Sequence, residues 1–575
     1  MENPEKTYKF LKTNQTIKKI VDDCIDKKEY WKALRLLNSL MRENSDTDTT
    51  KLAYKLHSRL FGFVGILDDY INLIVSNDLE AVVIGAKGLI EYANGVDEKA
   101  AKTYYEFVQN KLKNFVSGED KKAFENLLGY ENNESKIHFV PQKQKDLQIV
   151  EQIDSALDVG DYNAVKSLKT ASGSEQTPIV HKMLAEADIF SGKLQNAEKE
   201  LALVPDAEKD TYYFCLLLRV LYGKKKTEEF EDLAKRLTSQ NINHAEEIVY
   251  ICEALLDTCK YDEILEFVKK HEEKFEFYYP LHFVKAVAYL NLSNTEKAKE
   301  SFTKTAIIWP KQVIAKEFAK AIEQKQTFKQ KITARGKLPK NILKSVESTI
   351  DKQLLLSDID FSKLSIGQMQ DSLYWVEFFR NELLAEQYIL RLTYCKNGIE
   401  AIKRSLLSFQ NSDWLKMQCI KMLVFVGGND FDVLFVKDNL LSKINLMLPK
   451  MLLSETEVYE NWFASENINY QKFIHAYSSA FSILALETQA FENRLAEVAD
   501  CCIKSVIELF DKKKSDKIDE NYIIALLLYA TCSNKLAFEF KAKKANVSKY
   551  STISTAASEF EIDSDKLNEI VKQIF

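Results

Sequence analysis

A helix-turn-helix unit that returns about every 34 residues constrains this chain more than any other feature of its sequence. In Leu281–Pro310, LHFVKAVAYLNLSNTEKAKESFTKTAIIWP, Ala286 and Tyr289 lie one turn apart in a first helix and a polar turn follows. A second helix then carries Ala298 and, four residues on, Phe302, before Pro310 ends the unit. The position of Ala298 recurs upstream at Ile264, Phe230, Ala197 and Val165, at steps of 34, 34, 33 and 32 residues. A turn precedes each: Ser293-Asn294, Cys259-Lys260-Tyr261-Asp262, Gly223-Lys224-Lys225, Ser191-Gly192-Lys193 and Gly160-Asp161-Tyr162. A unit this short cannot bury its apolar face alone and has to stack on its neighbours. Asp188 and Lys285 depart from the pattern, and Pro205 is expected to stop its helix about a turn early.

Small residues that let helices approach, large ones that fill the gaps and the 34-residue period together resemble the tetratricopeptide repeat. The resemblance implies an all-α fold in which antiparallel helix pairs wind into a right-handed superhelix over roughly 16–325. It also implies a concave groove, lined by the first helices, that binds a peptide or protein segment. The groove candidates it nominates are Lys182, Glu186, Ile189 and Phe190 in one unit and Phe283, Val287, Leu290 and Asn291 in another. For the apolar members, packing between repeats is the competing reading.

Composition agrees with the helical class. A chain of 575 residues exceeds what a single core organises, and 16 Gly and 8 Pro favour long helices over a turn-rich β protein. The formal net charge of −6 provides no global basic field for nucleic acid, so such binding would have to be local. The N-terminus lacks an apolar core of signal-peptide length and no stretch is long enough to span a membrane, which makes the cytoplasm the expected location. Nine cysteines without a Cys-x-x-Cys read as small hydrophobes, and seven dispersed histidines offer no metal-ligand spacing. Phosphate loops and nucleophile motifs are absent, so no catalytic residue, metal or cofactor is expected.

Along the chain, residues 1–130 read as degenerate hairpins: a first at 16–45, a second at about 50–77 turning at Gly65, and a third turning at Asn94-Gly95 with Ala100 in the small-residue slot. Residues 131–146 read as a linker or repeat junction, and 147–325 as the array proper. The run Gln324–Lys344, QKQTFKQKITARGKLPKNILK, has no acidic residue, and 326–345 is taken as a basic linker. It is either solvated or a contact for an acidic partner or RNA.

Residues 346–575 continue as helices. They include a HEAT-like pair at 397–426, a β-hairpin at about 433–448 turning at Asp438-Asn439, and a helix-turn-helix-like end at 552–575 whose turn glycine is replaced by Glu561. The function expected is a non-catalytic scaffold for a protein or peptide partner. The alternatives are a transcriptional or RNA-linked regulator whose C-terminal end touches nucleic acid, and an assembly that self-associates through an uncapped end.

Overall fold

In the computed structural model of the chain, the residues described are 14–43, 46–61, 66–96, 177–240, 242, 244–328, 331–333, 338–426, 432–437, 440–446, 468–487, 492–511, 519–533 and 549–575, with single positions between 104 and 165. These residues are mostly α-helical, and the strands among them form one two-stranded sheet. The chain divides into two compact units, one made of residues 1–130 with 349–575 and the other of residues 131–348.

The first unit opens with the hairpin α1 (Asn14–Asp26) and α2 (Tyr30–Glu43), which buries Cys24, Ala33, Leu36, Leu37 and Leu40 and leaves Ile20 half-buried. Asp46 caps α3 (Thr47–Leu60) by accepting from the Thr49 amide, and it also pairs with Lys18 at 2.6 Å. α4 (Leu67–Ile74) lies against α5 (Leu79–Val96), with Tyr70 buried. The turn expected at Asn94-Gly95 is not made, because α5 runs through both residues. Glycine inside a helix costs only about 1 kcal/mol. That is less than the buried contacts of Val82, Ala86, Leu89 and Ile90 along the same helix provide. Gly65, Ala100 and the junction at 131–146 lie outside the described residues.

The second unit contains the periodic region. Its helices are α6 (Pro178–Phe190), α7 (Leu194–Ala202), α8 (Thr211–Gly223), α9 (Thr227–Ser239), α10 (Ala245–Asp257), α11 (Tyr261–His271), α12 (Tyr279–Asn291), α13 (Thr295–Ile308) and α14 (Val313–Glu323). Each first helix packs on its own second helix and on the next first helix, α6 on α8, α8 on α10 and α10 on α12. Val165, Ala197, Phe230, Ile264 and Ala298 are all buried. α7 ends at Ala202, just ahead of Pro205, as expected.

A second period emerges in the backbone. Gly192, Lys225, Cys259, Ser293 and Lys325 all have φ between 56° and 75°, at steps of 33, 34, 34 and 32 residues. Each follows a first helix and closes it the same way. The amide of the next residue bonds to the carbonyl five residues back, as in Lys193 to Asp188 (2.7 Å), Lys260 to Leu255 (2.9 Å) and Asn294 to Tyr289 (2.9 Å). This left-handed cap satisfies carbonyls that the helix end would otherwise strand. Lys28 makes the same cap between α1 and α2.

α15 (Lys340–Leu354) follows, and then α16 (Asp358–Ser362), α17 (Ile366–Phe379), α18 (Glu382–Thr393), α19 (Lys396–Leu407) and α20 (Asp413–Phe425). α19 and α20 are the expected pair, although α19 packs chiefly on α17 and α18. The hairpin of β1 (Asp432–Lys437) and β2 (Leu440–Asn445) is antiparallel. It pairs Lys437 with Leu440 and Asp432 with Asn445. α21 (Ile468–Glu487), α22 (Glu492–Asp511) and α23 (Glu520–Cys532) pack together, and the two short helices α24 (Ile553–Glu559) and α25 (Ser564–Ile574) rest on α23.

The hairpins of residues 1–130 belong with these C-terminal helices, whereas the sequence reading joins them to the array. Asp68 of α4 accepts from the Ser408 hydroxyl at 3.0 Å and the Phe409 amide at 2.9 Å, and Arg404 donates to the Met41 carbonyl at 3.0 Å. Leu407, Val436 and Leu441 share a core with Ile66, Tyr70, Ile71 and Leu89. The physical reason is that the loose N-terminal hairpins find their apolar partners some 340 residues away in sequence.

Candidate functional site

The first helices of the second unit carry every groove candidate, and the structure separates those candidates into struts and one unusual contact. Lys182 on α6 is buried, and its ammonium donates to Asp210 at 2.6 Å and to the Glu208 carbonyl at 3.4 Å. Glu186, one turn on and also buried, accepts from the Tyr212 hydroxyl of α8. Both side chains therefore tie one hairpin to the next. A buried charge persists where a partner compensates its desolvation, and here the partner is internal. Ile189 and Phe190 are half-buried, the first against the core that contains Ala197 and Leu216 and the second stacked on Tyr162 with the Arg219 guanidinium over its ring.

In the other unit, Val287 and Leu290 are buried in the main core, as the packing alternative anticipates. Phe283 is half-buried, with its ring edge-on to Phe302 at 5.6 Å. Asn291 behaves differently. It occupies the last position of α12 and is only 4% exposed. Its carboxamide donates to the Ile332 carbonyl at 2.8 Å and accepts from the Ile332 amide at 2.9 Å. One side chain thus satisfies both backbone groups of one non-helical residue, which the amide can do because it carries a donor and an acceptor side by side.

Ile332 lies in the basic run. After Lys325 caps α14, the described residues where the period would place a second helix, 326–328 and 331–333, are non-helical. Phe328, Ile332 and Leu338 pack against the core that contains Phe302, Phe318 and Ile342, with Phe328 5.8 Å from the Phe318 ring. The Lys331 ammonium donates to the Asn291 carbonyl and sits 5.4 Å from the centre of the Tyr261 ring. Asn341 donates to Gln326 at 2.8 Å, joining the two ends of the segment. Gln326, Phe328, Lys331, Ile332, Leu338 and Asn341 are therefore docked. The lysines drew attention to charge, while Phe328, Ile332 and Leu338, three apolar residues spaced among them, were the signal for burial.

Burial pushes the Cys215 thiol up to about 12 and the Cys252 thiol well above its usual value, so neither is a ready thiolate. Among the described residues, no group of three or more His, Cys, Asp and Glu side chains is arranged to hold a metal ion, and no helix is long and apolar enough to cross a membrane.

At the C-terminal end, Leu567, Ile570 and Val571 of α25 are buried, and the Asp563 amide donates to the Tyr522 hydroxyl at 3.3 Å. Glu561 takes the left-handed turn conformation, φ 53°, that its residue type disfavours. Comparison of the chain with protein-family models, curated proteins and solved structures gave no match.

Proposed function

We propose that this chain is a non-catalytic interaction scaffold, a tetratricopeptide-type solenoid over its central hairpins, that holds an extended peptide or protein segment of a cytoplasmic partner. The observation that supports this reading is the pairing of the Asn291 carboxamide with both backbone groups of Ile332. A face that meets the hydrogen-bonding demand of an extended chain, beside apolar contacts for its side chains, has the two elements of peptide recognition. The binding surface is thereby narrowed to the C-terminal part of the array. Asn291, Phe283 and Tyr261 carry it, while Lys182 and Glu186 brace neighbouring hairpins. A micromolar contact, roughly −8 kcal/mol, fits a transient scaffold.

Panning a displayed library of random extended peptides against the full-length protein, with the full-length Asn291→Ala variant as counter-selection, tests this reading. Enrichment of peptides that the variant fails to retain supports it. Enrichment that ignores Asn291, or no enrichment at all, removes the assignment of this face.

A further inference from the structure

The segment that carries Lys331 and Ile332 identifies the class of ligand this face takes. Resting on the reading above, we propose that the face formed by Asn291, Tyr261 and the adjoining core recognises an extended segment with a Lys-Ile step flanked by further apolar residues. The chain's own Lys331-Ile332 is its resident occupant, which a partner segment of the same chemistry has to displace.

Three observations carry this. The first is the kind of contact. Asn291 reads backbone, so it accepts any extended residue, and selectivity falls to the neighbouring side chains. Lys331 supplies a cation to the Tyr261 ring and to the Asn291 carbonyl, and Ile332 supplies an aliphatic group to the core.

The second is position. The left-handed cap at Lys325 repeats the caps that precede α7, α9, α11 and α13, yet the described residues after it, 326–328 and 331–333, are not helical. Here Phe328 and Ile332, neither of them helical, pack against the core that a second helix would cover in a regular array.

The third is a gradient of burial. Phe318 and Ile342, which anchor the core beneath and beyond the segment, are 1% and 0% exposed. Phe328, Ile332 and Leu338 are only half-buried, and Lys331 is exposed. The segment is held less deeply than its anchors, so it can leave without the core opening. A tethered occupant competes at an effective concentration on the order of millimolar, which sets a threshold that weak ligands do not pass.

The test uses a fluorescein-labelled synthetic peptide with the sequence of residues 324–341 and the full-length protein, followed by anisotropy. Ile332→Asp should vacate the face and bind the peptide at least about tenfold more tightly than wild type, because the competent fraction rises. Adding Asn291→Ala should abolish that gain, and a peptide carrying the same Ile-to-Asp change should not bind. Equal affinity of wild type and Ile332→Asp for the peptide overturns the resident-occupant assignment.

If peptides selected by panning bind through Asn291 while this peptide binds neither protein, the ligand class proposed here is wrong and the peptide-binding reading stands. Binding of a single-stranded RNA probe in place of the peptide, lost on Asn291→Ala, would also overturn it. Hydrogen exchange on wild type covers the case in which Ile332→Asp does not fold. Added peptide should speed exchange of the Ile332 amide, and unchanged protection counts against displacement.

Discussion

Arg219 of α8 donates through Nε to Asp257 of α10 at 2.7 Å, with the two side chains only 8% and 11% exposed, so adjacent hairpins are joined by an ion pair that water barely reaches. Burying one member without the other is costly, whereas an apolar pair of similar volume is often tolerated. Asp257→Ala should therefore lower stability by about 3–5 kcal/mol, and the combination Arg219→Met with Asp257→Leu should recover most of it. Urea unfolding of the two variants checks this, and equal losses would mean that the pair is not coupled.

A half-buried cluster sets a pH dependence in the unit formed by residues 1–130 and 349–575. His475 of α21 lies 3.0 Å from Glu386 and also bonds to Glu520, Lys421 reaches Glu386 at 2.6 Å and Glu382 at 3.2 Å, and the Phe425 ring stands edge-on. Burial alone would lower the His475 pKa, but the hydrogen bonds to Glu386 and Glu520 outweigh it and hold it at about 9. Burial alone would raise Glu386, yet His475 and Lys421 bring it down to about 2. The raised histidine contributes stability that is complete below its ordinary 6.5 and is lost as pH climbs through about 9. The depressed carboxylate contributes above its ordinary 4.5, and that part is lost as pH falls through about 2. Between pH 6.5 and 9 wild type should lose on the order of 2–3 kcal/mol relative to His475→Gln. Thermal melts of both proteins across that range measure the difference, and parallel curves would refute it.

The left-handed caps predict opposite effects at equivalent positions. Ser293 and Cys259 adopt φ near 60° without being glycine, at a conformational cost that glycine avoids. Ser293→Gly should stabilise by about 0.5–1 kcal/mol. Gly192→Ala should destabilise by a similar amount, although a Cβ there meets nothing within 4 Å, so the whole effect is backbone strain. Shifts of the same sign in chemical denaturation would exclude the shared cap.

Proteolysis reports on the docked segment. Lys331 is exposed, but the peptide unit that follows it is paired with Asn291. Trypsin should cut wild type slowly after Lys331, and Asn291→Ala should speed that cut severalfold while the melting temperature of the array changes little. Mass spectrometry of timed digests identifies the bond, and the same rate in both proteins would show that the pairing does not protect it.

Much of the helical organisation was legible because it is local. Ala298, Ile264, Phe230, Ala197 and Val165 could be placed in the core from spacing alone, since each hairpin repeats the same geometry and buries the same side. The β-hairpin and the end of α7 ahead of Pro205 were legible for the same reason. Of the backbone caps, Gly192 alone carries a residue that announces a left-handed turn. Lys225, Cys259 and Ser293 are driven there by hairpin closure, and Lys325 takes the same conformation where the described residues that follow are not helical.

What the tertiary structure decided depends on partners far apart in sequence. Asp68 has no local reason to seek Ser408 and Phe409, and the pairing of residues 1–130 with 349–575 follows only when both surfaces exist. Lys182 and Glu186 look like ligand groups on a bare helix and become struts once Asp210 and Tyr212 arrive from the next hairpin. Ile332 reads as part of a charged run until α12 presents Asn291 to its backbone. A sequence determines which residues want burial or a hydrogen bond. Which distant group meets that demand is settled by how the helices pack, because solvent competes for every polar contact until packing removes it.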